Sequence, residues 1–341
     1  MDPQTHGMIV EAEVENCSVE LYINGIPVGL CGVGISQTTA LPVNEYLIDG
    51  ENELAVLINP GDTPVTVLEP STESKAAFGA QPPDSPLMEE YLSKEEEKKE
   101  NEEKSAENEN GDTSGSTDQP PGERRWTRAD VNYDVEGLPA LPDARFTAKL
   151  SLYPVGIPID ESQGELLMSL SWDAHEVFEQ LREEERPFPR IVRIARDLGS
   201  MFGPVHWQDG MVLKLDEKTV EQAKMFVMQI HELIEEGQAE PILNISQEKF
   251  KEVTAAYGLS MLERLNMFRK LLEEESAKDY WIFETPDDED YSFRLVAGGR
   301  MIECIGPDWL PIIRGVPDPE EGRFMYPMMI GKIKGDWIIM R

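Results

Sequence analysis

Four histidines and three cysteines are the side chains of this chain best suited to proton transfer, metal binding or nucleophilic attack. His206 stands in Gly203-Pro-Val-His-Trp-Gln-Asp-Gly210, a glycine-bounded stretch that also carries Trp207 and Asp209. A histidine with an indole and a carboxylate in one glycine-bounded stretch can line a cleft, the other reading being a tight structured loop. His206, Trp207 and Asp209 are therefore the ligand-cleft candidates. The other histidines offer less: His6 lies at the start of the chain, and His175 and His231 fall on expected helices. His231-Glu232 lacks the second histidine at i+4 that a zinc helix requires. Asp287-Asp288-Glu289-Asp290 lacks the alternating oxygen ligands and central glycine of a calcium loop, and reads as a solvated turn between strands. Cys17, Cys31 and Cys304 have no metal-type spacing and read as buried thiols. Gly32-Val33-Gly34 opens no dinucleotide fingerprint, and no GxSxG, P-loop or reactive-cysteine context occurs. The expectation is a chain with no cofactor, no metal and no catalytic constellation.

Charge narrows the partners. The 341 residues carry 66 Asp and Glu against 31 Lys and Arg, a formal net charge of -35. Residues 1–83 hold 12 acids and the single base Lys75, residues 84–123 hold 14 acids and 4 bases, and residues 124–341 hold 40 acids and 26 bases. Acidity thus belongs to the folding segments as well as to the polar one between them. Nucleic acid and anionic membrane surfaces both demand clustered Lys and Arg, so neither is an expected partner. A protein with a basic face is. The longest unbroken apolar stretch is Leu54 to Ile58, far short of the roughly 20 residues of a spanning helix. The N-terminal apolar run Met8 to Val10 ends at Glu11, so no signal peptide is expected, and a reduced, cytoplasmic protein is the reading.

The elements that must position these residues follow from periodicity. Val19, Leu21 and Ile23 alternate with Glu20, Tyr22 and Asn24, the pattern of a half-buried strand, and Asn24-Gly25 is a hairpin turn. Asp49-Gly50-Glu51-Asn52 leads into a strand carrying Leu54, Val56 and Ile58, and another strand is expected from Val65. Phe146 to Tyr153 and Leu166 to Trp172 alternate in the same way. We expect these strands to form one β-sandwich, its first part in residues 1–70 and its second in 144–172, because each apolar face needs a second sheet to cover it; the rival reading is two separate units joined by a linker. Residues 71–143 read as an acidic linker, disordered over about 75–140, since they offer few branched apolar side chains to offset ordering entropy. From Asp173 the period turns helical, and 173–341 reads as an α+β domain. Its helices are expected over 174–181, 191–201, from Asp216 to Gly237, over 246–257 and after Ser260. Strands follow at 280–284, 291–296, 301–305, 324–330 and 337–340. The fold class is therefore multidomain: an N-terminal all-β sandwich, then helices followed by an antiparallel sheet.

Two segments resemble known families. Val19-Glu-Leu-Tyr-Ile-Asn-Gly-Ile-Pro-Val-Gly29, with Gly50-Glu-Asn-Glu-Leu-Ala-Val56, resembles the closing strands of galactose-binding-like jelly rolls found beside the catalytic domains of many glycoside hydrolases. That resemblance implies a jelly-roll-like sandwich. Carbohydrate enters as a ligand class only through it, and no ligand residue carries over because the family binds sugars with variable loops. Gly331-Lys-Ile-Lys-Gly-Asp-Trp-Ile-Ile-Met340 is similar to the last hairpin of cone-shaped folds related to nuclear transport factor two, which host enzymes and binding modules alike.

The last residues are rich in methionine and aromatics, most of them core by strand spacing. Tyr326, Met328 and Trp337 are the candidates for a partner-facing surface, since methionine-rich surfaces adapt to partners. The functional expectation is a non-enzymatic, acidic protein-binding module: an adaptor, or an immunity or inhibitor protein against a basic partner such as a nuclease toxin. The alternatives are a carbohydrate-handling protein or small-molecule enzyme with a cleft in 174–341, and a structural component of an assembly.

Overall fold

The computed structural model describes residues 6–31, 37–58, 144–156, 164–177, 190–200, 202–203, 205–278, 281–287, 290–306, 310–316 and 324–341. The expected disordered stretch, the strand from Val65, Gly32-Val33-Gly34 and residues 178–189 lie outside them.

The chain begins with β1 (His6–Glu15), β2 (Val19–Ile23), β3 (Ile26–Cys31), β4 (Gln37–Pro42) and β5 (Glu51–Ile58), and continues with β6 (Arg145–Pro154), β7 (Glu165–Asp173) and β8 (Arg190–Asp197). They form two four-stranded antiparallel sheets, in the orders β4-β1-β6-β7 and β3-β2-β5-β8. Alternate side chains of the two sheets meet in one core: Met8, Val10, Ala12, Val14, Ala148 and Leu150 from the first, Leu21, Ile23, Leu54 and Val56 from the second. Each fully buried Met, Val, Leu or Ile among them contributes about 1.5–3 kcal/mol relative to exposure. The pairing of β6 with β1 over ten residues sets residues 144–173 into the same sandwich as the first 58.

Strand β8 overturns the expectation of a helix over 191–201. Residues 190–197 run antiparallel to β5, with Ile191 opposite Leu57 and Val192 opposite Val56. Ile191, Val192 and Ile194 are β-branched, and pairing with them satisfies a row of backbone donors and acceptors along β5. The expected helix from Ala174 is likewise not seen in its described part. Asp173 accepts from the Nα of His175 at 2.8 Å, and residues 174–177 form turns.

Strand β2 departs from the half-buried expectation in a way that organises the molecule. All five of its residues are buried, and so are seven of the eight in β5. Glu20, Tyr22 and Asn24 are covered because the C-terminal part packs on that face of the sheet. Among the described residues that part holds four α-helices, α1 (Glu217–Glu235), α2 (Ala239–Ile245), α3 (Gln247–Ala256) and α4 (Met261–Glu275). Strands β9 (Ser292–Val296), β10 (Met301–Ile305), β11 (Ile313–Arg314), β12 (Met325–Tyr326), β13 (Met329–Ile333) and β14 (Asp336–Ile339) follow. Four of them form an antiparallel sheet in the order β14-β13-β10-β9, and β11 pairs with β12. Asp216 caps α1 by accepting from Thr219 at 2.7 Å, Ser260 caps α4 by accepting from Glu263 at 3.3 Å, and Gly237 ends α1 with a positive φ of 67°. The buried stripe of α1, Ala223, Val227, Ile230 and Ile234, packs with Ile302, Ile330 and Ile339 of the sheet. The expected strand at 280–284 reduces to a single bridge between Phe283 and Gly315.

The two parts meet over a third core. Ile26 and Ile48 of the sandwich pack with Trp207, Val296, Met301, Met329 and Met340. The Asn24-Gly25 turn enters this seam, both residues at positive φ, and Gly25 O accepts from Ala297 N at 3.0 Å. No helix among the described residues is long and apolar enough to cross a membrane.

Candidate functional site

Residues 206–209 form one 3-10 turn between the sandwich and α3. Trp207 points into the seam core and is almost fully buried, so it anchors the turn and is closed to a ligand. His206 and Asp209 point outward, with side chains 48% and 76% exposed. His206 Nε2 lies 3.1 Å from Glu248 Oε2 of α3, and His206 Nδ1 lies 3.9 Å from Asp209 Oδ2. Glu248 also accepts from Lys251 at 2.7 Å. That bond, with the imidazole beside it, holds the carboxyl below its ordinary range. The imidazole and its two neighbouring carboxylates lie on an open surface, without the low dielectric that strengthens catalytic electrostatics. Among the described residues no group of three or more His, Cys, Asp or Glu is placed to hold a metal ion.

Behind the turn lies a polar network that sequence reasoning did not single out. The backbone N–H of His206 donates to Glu252, and the other oxygen of Glu252 accepts from Arg341. Arg341 Nη2 donates to Glu45 O at 2.9 Å, and Tyr257 donates its hydroxyl proton to the Glu45 carboxylate. Asn44 completes the tie between α3 and the sandwich, donating to Ala256 O at 2.7 Å and accepting from Met8 N at 2.6 Å. Lys249, half-buried on α3, has its ammonium 5.5 Å from the centroid of the Tyr326 ring. Burial, and then the charge of Arg341, push the Lys249 amine down to about 8, while Glu45 pulls the other way. Burial also raises the Glu45 carboxyl and takes the Tyr326 phenol up to about 12.

A second network crosses the seam at β2. Arg294 of β9 is only 3% exposed. Its Nη1 lies 2.8 Å from Glu20 Oε2 and 3.0 Å from the Tyr22 hydroxyl, its Nη2 bonds the other Glu20 oxygen, and its Nε bonds Glu303 of β10. Tyr22 in turn donates to Glu20 Oε2 at 2.5 Å. Two carboxylates share one guanidinium in a dry site, and burial raises the Glu303 carboxyl against the opposing pull of Arg294.

Of the partner-face candidates, Tyr326 and Met328 are buried. Trp337 is half-buried, stacked on Phe226 at 6.0 Å between centroids, with Lys332 Nζ 4.6 Å from its ring centroid. The exposed methionines lie elsewhere, among them Met225 and Met228 on α1. Cys17, Cys31 and Cys304 are free and buried, and His231 packs edge-on to Phe283 at 5.6 Å. No signal short of the tertiary contacts could have joined Glu45, Lys249, Glu252 and Arg341, since they come from three distant segments and lie in no motif.

The chain matches no family model, none of the curated proteins and none of the solved structures with which it was compared.

Proposed function

We propose that this chain is a non-enzymatic, acidic protein-binding module that recognises a partner with a basic face. One observation carries the reading. On the helices and their connections, residues 217–275, nine acids are exposed (Glu217, Glu221, Glu232, Glu235, Glu236, Glu240, Glu263, Glu273 and Glu274) against four exposed bases, Lys218, Lys251, Arg264 and Lys270. Such a surface attracts and orients a basic partner and repels nucleic acid and anionic lipid. The open setting of His206 and Asp209 is consistent with binding rather than turnover. An adaptor, or an inhibitor that covers a basic enzyme, fits this chemistry.

The test is capture from native lysate with the tagged full-length protein, at about 0.15 M salt and again at about 0.5 M, where the Debye length is roughly halved. The expected result is a stoichiometric basic partner that is retained at the lower salt and lost at the higher. A partner held equally at both, or none at either, would overturn the reading.

A further inference from the structure

Helix α1 buries one stripe and leaves the opposite one uncovered. Ala223, Val227, Ile230 and Ile234 face the core, which turns residues 221, 225, 228 and 232 outward along one line of the helix. Met225 is 63% exposed and Met228 45%. Glu221 and Glu232 are exposed, and neither is in an ion pair with a described residue. At 1.5 Å per residue the two carboxylate-bearing positions stand about 16 Å apart, with the thioethers about 6 and 10 Å along the line between them. The remaining exposed positions of α1, Glu217, Lys218, Gln229 and Glu235, are polar, so the methionine pair is an apolar island on an acidic helix.

We infer that this stripe is the docking surface for an amphipathic, basic segment of the partner protein. Two apolar side chains of that segment cover Met225 and Met228, and a Lys or Arg stands opposite each of Glu221 and Glu232. The inference rests on the protein-binding reading above and names its surface. Charge selects the occupant. A second copy docking about a two-fold axis with α1 antiparallel to itself would bring Glu221 against Glu232 twice, and like charges there oppose association. Anionic lipid is repelled by the same carboxylates. Methionine suits a partner surface because its unbranched, polarizable side chain repacks around differing shapes.

The test uses the full chain labelled with 13C at the methionine methyls, titrated with a synthetic peptide of about 18 residues, long enough to form a helix on binding. The peptide carries Leu pairs spaced as Met225 and Met228 and Lys spaced as Glu221 and Glu232, and a control peptide carries Glu in place of Lys. The expected result is saturable shifts of the Met225 and Met228 methyls with the Lys peptide alone. The double variant Glu221→Lys/Glu232→Lys should weaken binding about tenfold or more, as two attractive pairs become repulsive. Shifts centred on Met211 or Met267, or undiminished binding by that variant, would overturn the surface.

The lysate capture, repeated with Met225→Glu/Met228→Glu, separates the two claims. Both changes lie at exposed positions, and an unchanged melting curve confirms that the variant folds. A partner lost only in the variant supports the surface. A partner retained at full yield overturns the surface and leaves the protein-binding reading standing. If the wild-type chain captures nothing and the peptide does not bind, both fail. A dimer of this chain that the same variant dissociates would replace the foreign partner with a second copy.

Discussion

Replacing Arg294 by methionine tests how the two parts of the molecule are held together. The guanidinium is buried and bonded to both oxygens of Glu20, to the Tyr22 hydroxyl and to Glu303, so it answers two carboxylates that solvent scarcely reaches. Methionine matches much of the volume but leaves those carboxylates without a counter-charge. Breaking a buried pair from one side costs about 3–5 kcal/mol, a large share of the roughly 5–15 kcal/mol by which folded proteins are stable. With a urea slope near 2 kcal/mol per molar, the unfolding midpoint should fall by about 2 M. The sign with pH is also set. In the variant, burial without a cation raises the folded-state pKa of the orphaned carboxyls above their unfolded value, near 4.3 for Glu. Protonation then favours the folded chain, so the lost stability should return as pH falls from 7 toward 5 and be lost again as pH rises. Adding Glu20→Gln and Glu303→Gln to Arg294→Met removes the stranded charges and should restore most of the loss at pH 7. The assay is urea denaturation followed by tryptophan fluorescence, with Trp207 reporting the seam. A cost below about 1 kcal/mol, or no rescue by the glutamines, would refute the claim that this network carries the junction.

Two further predictions concern single titrating groups. Lys249 has its amine held at about 8 in the fold, against about 10.4 when unfolded, so the folded state prefers the neutral form. Stability should therefore rise as pH climbs from about 8 to about 10.4. Lys249→Met should be the more stable protein at pH 7, by about 1–3 kcal/mol, and should lack that rise. Parallel stability-versus-pH curves for the two proteins would count against the burial argument. Burial likewise lowers the pKa of His231 from its ordinary value, which makes the fold favour the neutral imidazole. Stability should fall as pH drops below about 6.5, and His231→Gln should flatten that part of the curve. An unchanged slope would show that the imidazole packed on Phe283 takes its proton as readily in the fold as out of it.

Local pattern carried far where the physics is local. The period-2 runs of β2, β5, β6 and β7, the Asn24-Gly25 turn, the caps of α1 and α4 and the glycine ending α1 were all legible, because each depends on neighbours within a turn or a strand pair, whereas β1 was not read as a strand. Legibility failed at Arg190–Asp197. Its β-branched side chains suit a strand, but only the open side of β5 made it one. It failed again on β2, whose polar positions read as solvent-facing.

The sequence alone determined the class of the molecule: a β-sandwich, then helices, then an antiparallel sheet, with an acidic surface and no familiar catalytic motif. Tertiary structure decided which polar residues count. Asn24 and Asn52 read as turn residues. In the fold they are buried and bonded to each other at 2.8 Å, with Asn24 reaching Tyr46 O and Asn52 reaching Ile48 O. Glu20 and Arg294 stand 274 positions apart and form an ion pair because the C-terminal sheet covers β2. His206 met Glu248 of α3, and Tyr326 and Met328 went inward while Met225 and Met228 stayed out. The reason is physical. Secondary structure answers to spacings of two and 3.6 residues, whereas the fate of a charge or a methionine depends on which surface covers it, and that is settled only when distant segments pack.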